Sequence, residues 1–277
     1  MKFIKSLFWF IIIVLANLPL ESNAQNSAVL KDWQFRQVGT TKWNTATVPG
    51  EVHTDLLNNK LIPDPFYRDN EKKLQWIEKK NWEYKTSFSV TPSILKQKYA
   101  ALVFDGLDTY ANVYVNDVLV LKADNMFRQW RVDVKKAIKP GTNNLIVVFQ
   151  SAQNVVDSLA KKDLPFVIPD NPRTYVRKAQ YHFGWDWGPK YTTCGIWKEA
   201  RLEAYDNVAP EKDYIPSRKI ELVQQPDSLG KSFYFKIDGK PVYMKGANYI
   251  PSDAFLSRVT KKEYEKIIAT AKDANMN

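Results

Sequence analysis

The chain has 277 residues, 44% hydrophobic and 25% charged, with a formal charge of +10. That balance excludes a mainly disordered chain and leaves room for one or two domains. Cys194 is the single cysteine, which excludes an internal disulfide, and with only His53 and His182 beside it an ordinary zinc site of three or four Cys or His ligands cannot be assembled.

No metal or other cofactor is therefore expected. The positive charge is scattered, and pairs such as Lys72-Lys73, Lys79-Lys80 and Lys161-Lys162 are interrupted by acids. This describes a solvated surface rather than a nucleic-acid-binding stripe, and no nucleic acid partner is expected. The sequence carries no signal for oligomeric state.

At the start, Lys2 and Lys5 precede the apolar run Leu7 to Leu15, then Pro19 and the small-residue stretch Ser22-Asn23-Ala24 before Gln25. Charge, apolar segment and cleavage site in that order predict a signal peptide over residues 1–24. The run is too short to span a membrane, and no cysteine follows it to carry a lipid anchor. The mature chain is expected to be secreted or periplasmic. The lack of disulfides and of any Asn-x-Ser/Thr sequon points to a bacterial source.

From about Val29 to Ala204 short extended runs alternate with turn residues. Trp82 to Phe88 alternates apolar with polar residues, and Ala100 to Phe104 is a continuous apolar run. Ala111 to Val115 and Val118 to Leu121 flank Asn116-Asp117, a two-residue turn whose side chains tolerate left-handed backbone. Phe127 to Val134, Asn144 to Gln150 and Ala200 to Tyr205 read as further strands. Strands at this spacing predict a mostly β fold, a β-sandwich or jelly roll.

Residues 206–217, with Pro210 and Pro216, read as a linker. Asp238-Gly239 then predicts a hairpin between Phe233–Ile237 and Val242–Lys245. Thr260 and Glu263 form a capping-box pattern, and Tyr264, Ile267, Ile268 and Ala271 recur at helical spacing.

Standard catalytic motifs are absent. There is no G-x-G-x-x-G, Gly230-Lys231-Ser232 lacks the earlier glycine of a phosphate loop, and no G-x-S-x-G accompanies either histidine. The segment that carries chemistry is Arg177 to Pro189. Gly184, Gly188 and Pro189 bracket Trp185-Asp186-Trp187 and predict a loop that presents those side chains. Two indoles can cover the C–H face of a pyranose, and a carboxylate between them can accept hydrogen bonds from adjacent hydroxyls. Alternatively the indoles fill a hydrophobic corner while Asp186 caps backbone amides. Arg177 either pairs with Asp186 or sits on the surface, and His182 reads as a hydrogen-bonded structural residue rather than a general base.

Four stretches resemble the β-mannosidases of the family-two glycoside hydrolases, in that family's order and across nearly the whole mature chain. They are Pro49 to Leu56, Gly106 to Ala111, Trp185 to Pro189, and Lys245 to Asp253. The resemblance implies an N-terminal jelly-roll, galactose-binding-like β-sandwich, then immunoglobulin-like domains, then a (β/α)8 barrel carrying two catalytic glutamates. It makes Trp185, Asp186 and Trp187 substrate-binding residues and a β-mannoside oligosaccharide or glycan the partner; Arg177, His182 and Asn248 are candidates to support them from behind.

Here only 41 residues run from 206 to 246 inclusive, where one immunoglobulin-like sandwich takes about 100. From Lys245 there are 33 residues, against about 250 for a barrel. The expected organisation is a leader (1–24), a jelly-roll sugar-binding domain (25–208), the remnant hairpin of an immunoglobulin-like domain (209–244), and the first βα unit of a truncated barrel (245–277). A retaining glycosidase needs an acid and a nucleophile about 5 Å apart, and no residue here matches the family's two. The chain is expected to grip a β-mannoside without cleaving it. A stand-alone carbohydrate-binding module and an inactive truncation product are the alternatives.

Overall fold

The computed structural model describes residues 26–162, 172–207 and 218–277. The expected leader over 1–24 and most of the expected linker over 206–217 lie outside the described residues. None of the described helices is long and apolar enough to cross a membrane.

The first part runs β1 (Asn26–Val29), β2 (Gln34–Gln37), β3 (Asn44–Thr45), α1 (Val52–Asn58), α2 (Asn70–Leu74), β4 (Trp82–Val90), α3 (Pro92–Lys96), β5 (Tyr99–Phe104), β6 (Ala111–Val115), β7 (Val118–Ala123), β8 (Trp130–Asp133), β9 (Gly141–Phe149), α4 (Ala152–Ala160) and β10 (Ala200–Tyr205). Its strands form two antiparallel sheets, ordered β1-β10-β5-β8 and β3-β2-β4-β9-β6-β7. The mostly β sandwich expected from the sequence is thus present.

Strand character follows burial. Along β4 the residues Trp82, Tyr84, Thr86, Phe88 and Val90 are buried while those between them are not, the period-two pattern of a sheet with one face on the core. β5 lies between β10 and β8 and is buried along Ala100–Phe104, which explains its unbroken apolar run. Asn116 and Asp117 hold φ of +48° and +67°, the left-handed pair that a tight β6–β7 hairpin needs. Leu102 and Phe104 from one sheet and Tyr84, Val147 and Phe149 from the other join a single core.

The second part adds a three-stranded antiparallel sheet, β11 (Ile220–Val223), β12 (Tyr234–Ile237) and β13 (Lys240–Val242), then helix α5 (Lys261–Asp273). Asp238-Gly239 turns the β12–β13 hairpin with φ of +51° and +78°. The α5 capping box forms as the sequence predicts, with Glu263 N–H donating to Thr260 Oγ1 (3.3 Å) and Thr260 N–H to Glu263 Oε2 (2.6 Å).

The expected βα unit therefore has its helix. Its strand is another matter, since residues 243–255 join no ladder. A parallel barrel strand takes its hydrogen bonds from neighbouring strands, and among the described residues no such neighbour pairs with this stretch. The expected strand Phe127–Val134 is also shorter, because Met126 N–H bonds instead to Arg177 C=O (3.0 Å) and the Trp130 indole turns back to Asn125 C=O (3.0 Å).

Candidate functional site

The loop that presents Trp185, Asp186 and Trp187 is tied down at both ends. Upstream, Lys178 lies fully buried, its ammonium on Asp108 and on Thr193 C=O (2.9 Å). Downstream, Lys190 N–H donates to Glu71 Oε1 (2.7 Å), Lys190 C=O accepts from Gln75 Nε2 (2.8 Å), and its ammonium meets Glu78 (2.9 Å). Gly184 takes φ of +87°, a left-handed backbone that favours glycine, and a Cβ there would crowd Lys190 Cβ at 3.1 Å. Gly188 N–H closes the turn on Trp185 C=O (3.3 Å).

This turn splits its three side chains. Trp185 is half-buried, while Asp186 and Trp187 are exposed, Trp187 by 78%. Trp185 and Trp187 line a recess of about 310 Å3, at the lower end of the ~300–1,000 Å3 usual for ligand pockets. Tyr181, Phe66 and Arg258 join them, and residues Ile250–Ala254 form the opposite wall. Asp186 instead lines an adjoining recess.

Three polar atoms beside the Trp185–Trp187 recess are buried without a protein partner: Tyr181 OH, Trp185 Nε1 and His182 Nδ1. Tyr181 packs edge-on against Trp185 (centroids 5.2 Å apart) and His182 (4.6 Å). Burial pushes the Tyr181 hydroxyl above its usual range, so it stays protonated and able to donate. Buried polar atoms are ordinarily paired, and the Tyr181 and Trp185 side chains that carry this hydroxyl and indole N–H both line the recess.

His182 is a structural residue, as its sequence context suggests. Its Nε2 sits 3.1 Å from Ala254 C=O, which can only accept, so Nε2 carries the proton. Nδ1 then faces Asp108 Oδ2 at 3.8 Å as acceptor against acceptor. Burial, then the Lys178 cation, holds the ring neutral, its pKa well below the ordinary value. Arg177 is exposed, and no ion pair joins it to Asp186 among the described residues; of the two placements weighed, it takes the surface. Asn248 is exposed and stands outside the lining of both recesses.

The wall at Ile250–Ala254 comes from the second part of the chain and is clasped to the sandwich. Phe255 is fully buried against the rings of Tyr191 (5.2 Å), His53 (5.4 Å) and Phe66 (5.6 Å). Glu51, the N-cap of α1, accepts from Ser257 N–H (3.0 Å) and Ser257 Oγ–H. Asp253 pairs with Arg258 (3.0 Å), and that guanidinium lies 5.4 Å over the Phe66 ring.

Beneath this clasp, acids and imidazoles titrate against each other. Burial raises Glu51 and Asp55 from 4.5 and 3.8 to about 7, a contribution to stability present at low pH and lost as pH rises through 7. Burial lowers His53 from 6.5 to about 3 and His182 well below 6.5, a contribution present above 6.5 and lost as pH falls toward 3. The opposing pairs leave these contributions nearly level between pH 7 and 5. Glu51→Gln removes one acid, so between pH 7 and 5 its stability should fall relative to wild type by ~2 kcal/mol. Urea melts at both pH values check this, and a wild-type pH slope in the variant contradicts it.

Residues 33–198 match the family model described as the glycosyl hydrolase 2 galactose-binding domain-like family. The chain belongs to that family. Among relatives of this glycosyl hydrolase 2 domain, the β-mannosidase of Bos taurus is 28% identical over 359 residues, covering 89% of this chain and 41% of its own length. The β-mannosidase B of Thermothelomyces thermophilus is 39% identical over 197 residues, 69% of this chain and 22% of that protein. The crystal structure of the β-D-mannosidase of Dictyoglomus thermophilum superposes with a TM-score of 0.80 at 30% identity, covering 91% of this chain and 43% of that one. A share of 91% extends well past the sandwich, so the second part of the chain takes part in the match. The chain thus spans about two fifths of the length of the bovine relative. Because that alignment runs to 359 positions and this chain has 277 residues, at least 82 positions (359 less 277) have no counterpart here.

Several residues that line the recess escaped the sequence reading as site residues. Phe66 and Ile250–Ala254 reach the Trp185 loop only through the fold. Tyr181 stood within the Arg177–Pro189 segment and could have been marked as a third aromatic beside the indole pair.

Proposed function

We propose that this chain supplies the saccharide-gripping N-terminal part of a β-mannosidase-type glycoside hydrolase, one that removes terminal β-D-mannose from oligosaccharides, and that the 277 residues bind sugar without cleaving it. The observation that carries the reading is the recess of about 310 Å3 where the indoles of Trp185 and Trp187 meet buried, unpartnered donors on Tyr181 and Trp185. Indole faces suit the C–H surface of a pyranose, and the donors suit its oxygens. In this reading Trp185, Asp186 and Trp187 contact the glycan, while His182 supports the loop from behind. Arg177 and Asn248, both exposed, stand further out.

The names of the relatives support the substrate class, and the 82 or more unmatched alignment positions support an internal gap where a middle domain would stand. The organisation that follows is a leader over 1–24 that exports the chain, a sugar-binding domain over 25–208, a remnant over 209–244 and the opening of a barrel from 245. Calorimetric titration of the whole chain with mannobiose tests the reading. Wild type should release binding heat, and Trp185→Ala and Asp186→Ala should each lower the affinity about tenfold, near 1.4 kcal/mol. Equal heats in all three proteins would sink it. In the same preparation, release of nitrophenol from a nitrophenyl β-mannoside above the blank would overturn binding without cleavage.

A further inference from the structure

Glu51 is an acid on which the two parts of the chain meet. It caps α1 in the sandwich, yet its carboxyl bonds to Ser257 of the docked segment, Oε1 to the amide (3.0 Å) and Oε2 to the hydroxyl. Only 1% of the residue is exposed, and among the described residues no ion pair joins it. The cation nearby, Lys178, is committed to Asp108 and to Thr193 C=O. A carboxylate that loses its water without gaining a cation is costly, and the cost goes when it takes a proton.

The contact with Ser257 survives that change. Oε1 still accepts from the amide, and a protonated Oε2 donates to Ser257 Oγ instead of accepting from it. Ser257 follows closely on Phe255, the ring set among His53, Phe66 and Tyr191, and on Ala254, the end of the recess wall. Release of this stretch would remove both Ser257 partners and open Glu51 to water.

We propose that Glu51 is a positioning residue for the recess wall, one that holds residues 250–258 on the sandwich by taking up a proton as they dock, so that acid closes the wall and alkali loosens it. In naming what the wall encloses, this rests on the saccharide reading above.

Burial sets the direction. With the segment docked, burial raises Glu51 from 4.5 to about 7, Asp108 adding to the rise while the Ser257 bonds and Lys178 oppose it. Released to water, the group returns to its ordinary value. Its contribution to closure is therefore full below 4.5 and lost as pH rises through 7. The groups around it do not compete. Asp55 is also raised to about 7, but it takes its bonds from Thr47 N–H (2.7 Å) and Tyr84 OH (2.9 Å), both in the sandwich, and so stays buried whether or not the segment docks. Burial lowers both histidines, His53 to about 3, and pushes Tyr84, Tyr181 and Cys194 up, which leaves all five neutral between pH 5.5 and 8. On the docked segment, Asp253 and Arg258 pair with each other (3.0 Å).

Cleavage of the whole chain within residues 245–277 by a dilute protease reads the open population, when timed at pH 8 and 5.5 against a short unstructured peptide carrying the same cleavage site. In wild type the relative rate should fall about 30-fold from pH 8 to 5.5. Glu51→Gln has no charge to bury, so it should be cut slowly and at the same relative rate at both values, whereas Asp55→Asn should keep the wild-type ratio. Ser257→Ala loses one partner but keeps Glu51 buried, so cleavage should quicken at both values with the ratio retained. A wild-type ratio within about threefold of one would overturn the proposal. So would a Glu51→Gln ratio like that of wild type, or a flat response in Asp55→Asn. Saturating mannose should slow wild-type cleavage at both values, because it binds the closed wall. No slowing by mannose, with the pH ratio intact, would count against the saccharide reading and leave the role of Glu51 standing.

Discussion

Lys178→Met is expected to cost the fold ~3–5 kcal/mol, the usual penalty for breaking a buried ion pair from one side. Lys178 and Asp108 are both essentially inaccessible to solvent, and the ammonium also serves Thr193 C=O at 2.9 Å. Methionine fills most of the volume but leaves Asp108 charged, buried and short of its cation, and leaves the carbonyl without a donor. The melting temperature should fall by roughly 10 °C, since ~1 kcal/mol moves a domain of this size by about 2–4 °C. A double change that also makes Asp108 apolar should lose less than the sum of its two single changes, because the stranded charge is gone. Calorimetry on the four proteins reads both effects. A single variant melting within about 2 °C of wild type would show that the pair does not hold the fold.

The second large effect is expected at Phe255. Truncating a fully buried phenylalanine costs ~3–5 kcal/mol, but here the ring joins two parts of the chain, so the cost falls on their union. Phe255 plugs a socket of His53, Phe66 and Tyr191 that belongs wholly to the sandwich. Phe255→Ala should therefore loosen residues 245–277 from the sandwich while β1 to β10 keep their core. The open population of that segment should rise about 100-fold for a loss of ~3 kcal/mol, and cleavage there by a dilute protease should accelerate by the same factor. Since Ile250–Ala254 wall the recess, sugar affinity should fall in step. Unchanged cleavage would mean that Glu51 and Ser257 hold the segment without the plug.

These expectations draw on contacts of very different legibility. The β6–β7 hairpin could be read from Asn116-Asp117, and α5 from Thr260, Glu263 and the apolar spacing behind them, because turn and cap chemistry is local. Helix α4 was legible too and was passed over: Ser151 caps it by accepting from the Asn154 amide (3.0 Å), and Val155, Val156 and Leu159 follow at helical spacing. The five-residue helices α2 and α3 are too short for a periodic signal. At the site, glycine and proline placement exposed the Trp185 loop, whereas its supports came from afar. Nothing local marks Lys178 for burial, since lysine is ordinarily solvated, and its partner Asp108 lies 70 residues away. The docking of Phe255 spans two parts of the chain and depends on a socket that exists only once the sandwich has closed.

The most direct measurement of the central claim is a crystal structure of the chain grown or soaked with mannose at saturating concentration. A pyranose should lie with its C–H face on Trp187, with its oxygens taking the protons of Tyr181 OH and Trp185 Nε1 in the recess walled by Ile250–Ala254. A sugar seated elsewhere, or an empty recess at saturation with Trp185 and Trp187 unmoved, would contradict it.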